Sequence, residues 1–110
     1  MPKRSLESLT EPMYYTLLAL LQPRCGIEIT EFVQHITKNR VNLGPGTLYT
    51  MLSKFLEEDM IFEKMSEGRK RIYQINEKGY QMLEGEYLRL HTMIDEGKPY
   101  MKGDFNNERS

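Results

Sequence analysis

Small hydroxyl side chains line one side of a predicted helix in the middle of the chain. Residues 44–59 read GPGTLYTMLSKFLEED, and the polar face of this stretch opens with Thr47, Thr50 and Ser53. Short hydroxyl groups let a helix approach DNA closely, where they can hydrogen-bond to phosphates or to base edges. The chemistry that these residues favour is reversible hydrogen bonding to a nucleic acid. An ordinary threonine-rich surface helix is the alternative that this stretch alone leaves open.

Basic side chains follow this helix and cluster around a turn. Residues 62–75 read FEKMSEGRKRIYQI, with a turn signal at Glu67-Gly68 between two extended runs. A basic hairpin that follows two consecutive helices is the layout of a winged helix-turn-helix. Its candidate contacts to the DNA backbone are Lys64, Arg69, Lys70 and Arg71.

The cysteine and histidine residues do not make a catalytic or metal site in this sequence. A nucleophilic Cys25 with His35 as its base would need a carboxylate and an oxyanion-hole motif, and the sequence has neither. One cysteine and the two separated histidines, His35 and His91, do not make a zinc-ligand cluster. We therefore predict no enzyme activity, no cofactor and no metal, and we expect Cys25 to be a small buried apolar residue.

Length and composition indicate one globular domain. The chain has 110 residues, of which 39% are hydrophobic and 28% are charged. No apolar run is long enough for a membrane span, residues 1–12 lack the apolar core of a signal peptide, and a single cysteine fits the reducing cytoplasm. The net charge of −1 excludes a generic polycation. However, the hairpin is locally positive, and a local excess is sufficient to attract DNA phosphate.

The first predicted helix begins at the N-cap Thr10 and continues to about Gln22, where Pro23 ends it. It is apolar on nearly every side, so we expect it to contact both its own core and a partner chain. Tyr14 and Tyr15 are the candidates for the partner side.

Two further helices form the predicted helix-turn-helix. An apolar pattern of i, i+3, i+4, i+7 predicts one over residues 27–38. In the next, Gly44 is the N-cap and Pro45 takes the first helical position. Lys38 and Arg40 lie between these two helices, where they can meet a phosphate at a helix N-terminus or complement the dipole at a helix C-terminus. The two roles are compatible.

The last helix is predicted to form a dimer contact. Asn76 is its N-cap, and Gly79 is expected to be a weak position in its first turn. Two heptads are too short to hold a dimer alone, so we expect this helix to pack with the first helix of a partner; packing on its own core is the alternative. The predicted seam consists of Tyr80, Leu83, Tyr87, Leu90 and Ile94.

Three stretches of the chain resemble the PadR family of bacterial transcriptional regulators, in particular the short members with one C-terminal helix. They are TEPMYYTLLALLQPRCGIEI (10–29), VNLGPGTLYTMLSKFLEEDMI (41–61) and GRKRIYQINEKGYQML (68–83). The resemblance implies a mainly α fold with a small β-hairpin wing, a winged helix-turn-helix followed by a C-terminal dimerisation helix. It also implies a homodimer that represses transcription at a palindromic operator, with induction by a small molecule or stress signal in some members.

Carried over by position, the GTLY element of the family is residues 46–49. The resemblance implies that Thr47, Tyr49 and Thr50 contact DNA, although a purely structural role for Tyr49 is an alternative. Lys54 lies further along the polar face of the same helix, and we predict that it also contacts DNA. The chain departs from the family pattern in three places. Cys25-Gly26-Ile27 replaces His-Gly-Tyr, Asp59 replaces a glycine, and Leu56 replaces a glutamate.

The predicted organisation is a flexible arm (1–9), a winged helix-turn-helix (10–76), a dimerisation helix (77–97) and a flexible tail (98–110). The predicted partners are double-stranded DNA, a second copy of the chain and a small apolar effector. The effector could occupy a cavity lined by Tyr80, Met82, Tyr87 and Met93, or these side chains could close it. Members that bind flat aromatic drugs do so between tryptophans, which this chain lacks. The alternatives are a winged-helix protein-interaction module without DNA binding and a MarR-like regulator.

Overall fold

The computed structural model describes residues 6–101, which fold as a winged helix with a long C-terminal helix. This architecture confirms the predicted fold class, mainly α with one small hairpin. The elements are α1 (Glu11–Ala19), α2 (Gly26–Ile36), α3 (Pro45–Glu57), β1 (Ile61–Met65), β2 (Arg71–Ile75), α4 (Glu77–Gly97) and a short 3-10 helix (Lys98–Tyr100).

Helix α1 begins as predicted and ends earlier than predicted. The Thr10 hydroxyl accepts a hydrogen bond from the Met13 N–H at 3.4 Å, which is the expected N-cap. The helix ends at Ala19 rather than near Gln22 because the backbone that follows pairs with β2. The Leu20 carbonyl accepts from the Ile75 N–H at 2.9 Å, and Arg24 and Tyr73 exchange two backbone hydrogen bonds. These bonds replace the next helical turn.

The turn between α2 and α3 ends α2 two residues earlier than predicted. Helix α2 ends at Ile36 because Lys38 and Asn39 adopt left-handed conformations, with φ of 52° and 65°. The Thr37 hydroxyl donates to the Val33 carbonyl at 2.7 Å and accepts from the Val41 N–H at 3.1 Å, which fixes this turn. Helix α3 then starts at Pro45, as predicted.

The core lies where α1, α2 and α3 meet the hairpin. Helix α3 contributes the predicted apolar stripe, with Leu48, Met51, Leu52 and Phe55 all buried. The arm predicted for residues 1–9 is wrong at Leu9, which is buried, and at Leu6, which packs against the core. Burial of their apolar side chains keeps Leu9 and Leu6 against the core. Residues 1–5 lie outside the part of the chain that the structure describes. Of the predicted tail, 98–100 form the 3-10 helix, and 102–110 also lie outside the described part.

The N-terminus of α4 is packed tightly against the start of the hairpin. Asn76 caps the helix, because its side-chain oxygen accepts from the Gly79 N–H at 2.9 Å. A Cβ atom on Gly79 would lie 2.1 Å from the Met60 carbonyl oxygen. The expectation that Gly79 is a weak position is therefore wrong, since only glycine permits this close approach.

Candidate nucleic-acid interface

The exposed side of α3 carries the predicted hydroxyl face. Thr47 and Thr50 are exposed there, while the opposite side of the helix is buried in the core. Gly44 caps α3 with an extended backbone and Pro45 follows at the first position, so the first turn is fixed by local sequence. The threonine hydroxyls are thus held on a rigid helix and face solvent.

Tyr49 bridges α3 and the N-terminus of α2. Its side chain is 48% exposed. A Cβ atom added to Gly26 would lie 2.3 Å from the Tyr49 hydroxyl oxygen, so the tyrosine ring lies directly over the first residue of α2. Gly26 is buried and makes this contact possible. The structure thus places the Tyr49 hydroxyl over the N-terminus of α2.

The hairpin presents basic side chains around its turn. The Ser66 N–H donates to the Lys70 carbonyl at 2.8 Å, and Arg69 takes the left-handed conformation, with φ of 64°. Arg71 forms an ion pair with Glu63 at 3.6 Å. Within residues 6–101, no ion pair engages the other three predicted cations of the hairpin, Lys64, Arg69 and Lys70, all of which are exposed.

Two of the other predicted DNA contacts are turned toward carboxylates of the same chain. Arg40 donates to Glu11 and to the Tyr15 hydroxyl, each at 2.7 Å, and the Glu11 hydrogen bond raises the pKa of Arg40. Lys54 lies 3.7 Å from Glu57 and 3.5 Å from Glu58. Lys38 is exposed in the turn that follows α2.

The residues predicted for a dimer interface fall into two groups. Tyr80, Tyr87 and Ile94 are 46%, 54% and 69% exposed, and they are spaced seven residues apart along α4. Leu83 is only 4% exposed and packs in the core of its own protomer, so its assignment to the interface is wrong. Leu90 is half-buried.

The two tyrosines of α1 are half-buried and lie edge to face, with ring centroids 5.7 Å apart. Tyr14 packs against the core, and burial raises the pKa of its hydroxyl, with a smaller contribution from Tyr87 on α4. Tyr15 uses its hydroxyl to hold Arg40.

Two features were not anticipated from the sequence. One is an apolar recess of about 320 Å³ between the first turns of α2 and α3, at which Ile27 is 71% exposed. The signal for it was the departure from the family pattern at Ile27. The other is Glu86, which is buried and accepts from Arg89 Nε at 3.1 Å. That hydrogen bond lowers the pKa of Glu86; the spacing of three residues between Glu86 and Arg89 was the available signal.

Among residues 6–101, no group of three or more His, Cys, Asp or Glu side chains is arranged to hold a metal ion. Helices in the same range are all too short or too polar to cross a lipid bilayer.

This chain matches known proteins in sequence, through a family model, and in fold, through solved structures. The sequence model of a family described as "Transcriptional regulator PadR-like family" matches residues 16–85. No curated protein is a significant sequence match. Solved structures are similar in fold at low sequence identity.

A transcriptional regulator from Clostridium thermocellum, Cth-833, is 16% identical with a TM-score of 0.70, and the match covers 84% of this chain and 93% of that one. A PadR family regulator from Clostridium difficile is 19% identical with a TM-score of 0.65, covering 81% and 97%. F93 from STIV, a winged-helix DNA-binding protein, is 13% identical with a TM-score of 0.66, covering 79% and 96%. These similarities establish the winged-helix fold.

Proposed function

The chain belongs to the PadR-like family of transcriptional regulators, and from this premise we propose that it is a homodimeric repressor that binds a palindromic operator. Family membership also identifies it as a regulator rather than an enzyme. The observation that carries the proposal is the combination of an exposed hydroxyl face on α3 with the exposed cations of the hairpin, Lys64, Arg69 and Lys70. Such a repressor acts on chromosomal DNA in the bacterial cytoplasm.

In this proposal α3 enters the major groove. Thr47 and Thr50 contact base edges or the neighbouring phosphates, and Tyr49 contacts the backbone beside them. Single hydroxyl groups discriminate bases less strongly than bidentate side chains do. Sequence-dependent DNA shape therefore contributes to specificity as well.

The hairpin acts as the wing and holds the flanking backbone or minor groove. Lys64, Arg69 and Lys70 are exposed and available for phosphate. Arg71 exchanges its ion pair with Glu63 for a phosphate at low cost, because exposed ion pairs contribute about 1 kcal/mol or less. The same argument applies to the exposed pair between Arg40 and Glu11. Lys38 and Lys54 are secondary backbone contacts.

The dimer forms through α1 and α4. Tyr80, Tyr87 and Ile94 make an exposed apolar stripe on α4, which a second copy would cover symmetrically. Leu90, Tyr14 and Tyr15 flank this stripe in the proposed interface. Two copies of α3 then reach successive major grooves about 34–36 Å apart.

A small apolar effector between the paired α4 helices would relieve repression. Tyr80, Tyr87 and Met93 are exposed in the protomer, whereas Met82 packs against the core. Thermal denaturation with a panel of apolar compounds tests this site. A stabilising compound supports it, and a flat response across the panel favours a closed interface.

Footprinting tests the operator geometry. Duplexes that the protein selects from a random pool should show two protected half-sites related by a two-fold axis and separated by about one helical turn. A single protected segment without symmetry would contradict the dimeric mode of binding. Failure to select any duplex would contradict DNA binding itself.

A further inference from the structure

The recess between α2 and α3 is apolar although it lies beside the surface that we assign to DNA. Ile27, Pro45 and Leu48 contribute aliphatic walls, and Tyr49 contributes its ring. Ile27 is 71% exposed. Most protein contacts to DNA phosphate come from hydroxyl, amide and basic groups, so the aliphatic walls of Ile27, Pro45 and Leu48 are poorly suited to the backbone.

The recess is formed before any ligand binds. The Tyr49 hydroxyl oxygen and the adjacent ring carbon lie 2.3 Å and 3.1 Å from the position that a Cβ of Gly26 would take. The ring is therefore seated on the backbone of α2 and cannot move inward. Leu48 is 2% exposed and closes the base of the recess.

The charge of the residues around the recess and its position beside α3 indicate which group it could bind. Glu31 is among the residues that line the recess, and its negative charge disfavours a phosphate at this place. Pro45 and Tyr49 belong to the first turns of α3, so the recess is continuous with the surface proposed to enter the major groove. The apolar group that the four ordinary bases display in that groove is the 5-methyl group of thymine.

We propose that this recess receives the 5-methyl edge of a thymine in each half-site, with Ile27 as the residue that determines this specificity. The inference rests on the proposed function, because it requires α3 in the major groove. The recess, of about 320 Å³, is large enough to receive this methyl group.

The first test replaces each thymine of a selected duplex in turn by deoxyuridine, which removes only the methyl group. One thymine per half-site should weaken binding about fourfold when replaced, the effect of exposing one buried methyl group. Fluorescence anisotropy measures the affinity. If no thymine shows this loss, the recess does not read a methyl group.

The second test repeats the scan with Ile27→Ala. In this variant, replacing that thymine by deoxyuridine should cause little further loss of affinity. The loss of affinity caused by replacing any other thymine should be the same as in the unchanged protein. Because Ile27 is mostly exposed, the variant should keep its unfolding midpoint. Ile36→Ala is the matched control, since Ile36 is exposed on the same helix but lies outside the recess. The Ile36→Ala variant should still lose about fourfold in affinity when that thymine is replaced by deoxyuridine.

An undiminished methyl effect in Ile27→Ala would overturn the inference and leave DNA binding intact. Failure to select any duplex would instead overturn the proposed function together with the inference. The two failures are therefore distinguishable.

Discussion

At the residue scale, the surface that we propose to face DNA depends on which polar side chains are already engaged within the protomer. Thr47 and Thr50 face solvent, whereas Arg40 is held by Glu11 and Tyr15 at 2.7 Å. Arg69, at the tip of the hairpin, is exposed. We therefore assign the main electrostatic contribution to the hairpin rather than to the turn before α3.

The combined substitution of Arg69→Ala and Arg71→Ala should weaken binding to all DNA sequences alike. The dependence of log K on log salt should become shallower by about 0.9 for each phosphate contact that is lost. Anisotropy titrations across a salt series measure this slope. Lys98→Ala is the control, because Lys98 is exposed at the end of α4 far from the hairpin. An unchanged slope in the double variant would refute the role of the wing.

A buried carboxylate makes stability depend on pH. The hydrogen bond from Arg89 keeps the pKa of Glu86 below its ordinary value of 4.5. A lowered pKa in the folded state contributes stability above pH 4.5, and this stability is lost as pH falls through the lowered pKa. Glu86→Gln should therefore lower the urea midpoint at neutral pH and reduce its fall under acid conditions.

The matched control for this pH dependence is Glu84→Gln, an exposed position on the same helix. Its midpoint should follow that of the unchanged protein from about pH 7 to about pH 3. If the urea midpoint falls as steeply with acidification in Glu86→Gln as in Glu84→Gln, Glu86 does not contribute to the loss of stability in acid.

At the element scale, locally encoded features were predicted well and features set by distant contacts were not. Helix α3 follows from the cap at Gly44, the proline at position 45 and its apolar period, all of which lie in one stretch. The end of α1 was misjudged because Leu20 pairs with Ile75, a residue of the distant strand β2. The heptad spacing of α4 identified an apolar seam but not which members face the protomer's own core, so Leu83 was misassigned.

In the candidate site, too, the features that depend on distant contacts were not predicted from the sequence. Residue type alone nominated Arg40 as a phosphate contact, but its pairing with Glu11 depends on how α1 packs beside the turn. The recess at Ile27 likewise exists only because Tyr49 crosses from α3 to α2. Neither contact follows from the local sequence pattern, and the departure from the family pattern at Ile27 was the one local signal for the recess.

The close approach of α4 to the hairpin predicts opposite effects for two glycines of that helix. Gly79→Ala should destabilise the protein by about 2 kcal/mol or more, because its Cβ would overlap the Met60 carbonyl. Gly85→Ala should stabilise by up to about 1 kcal/mol, since space around Gly85 is open and alanine favours a helix. Urea denaturation measures both. Equal effects would contradict tight packing at Gly79.

At the scale of the whole molecule, α4 gives the chain an elongated form with extents of 62 × 36 × 23 Å. Its apolar stripe at Tyr80, Tyr87 and Ile94 is 46%, 54% and 69% exposed in the protomer. A second copy that covers this stripe would bring two hairpins and two α3 helices to one side of the DNA. In the proposed mode of binding, affinity for the operator would therefore depend on the dimer.

The stripe predicts different consequences for two adjacent substitutions. Tyr87→Glu should raise the dimer dissociation constant by about a hundredfold or more, because a buried unpaired carboxylate costs several kcal/mol. Leu88→Glu is the control, since Leu88 is 56% exposed against 54% for Tyr87 but lies on another side of the helix. Sedimentation equilibrium measures both variants. If Leu88→Glu dissociates the dimer and Tyr87→Glu does not, the interface lies elsewhere on α4.

The most direct test of sequence-specific DNA binding is fluorescence anisotropy on a duplex that the protein selects from a random pool and on its scrambled counterpart, across a salt series. We expect the selected duplex to bind about a thousandfold more tightly than the scrambled one, with affinity for both falling steeply as salt rises. Equal affinity for the two duplexes, or the absence of binding to both at low salt, would contradict a sequence-specific regulator that reads DNA through α3.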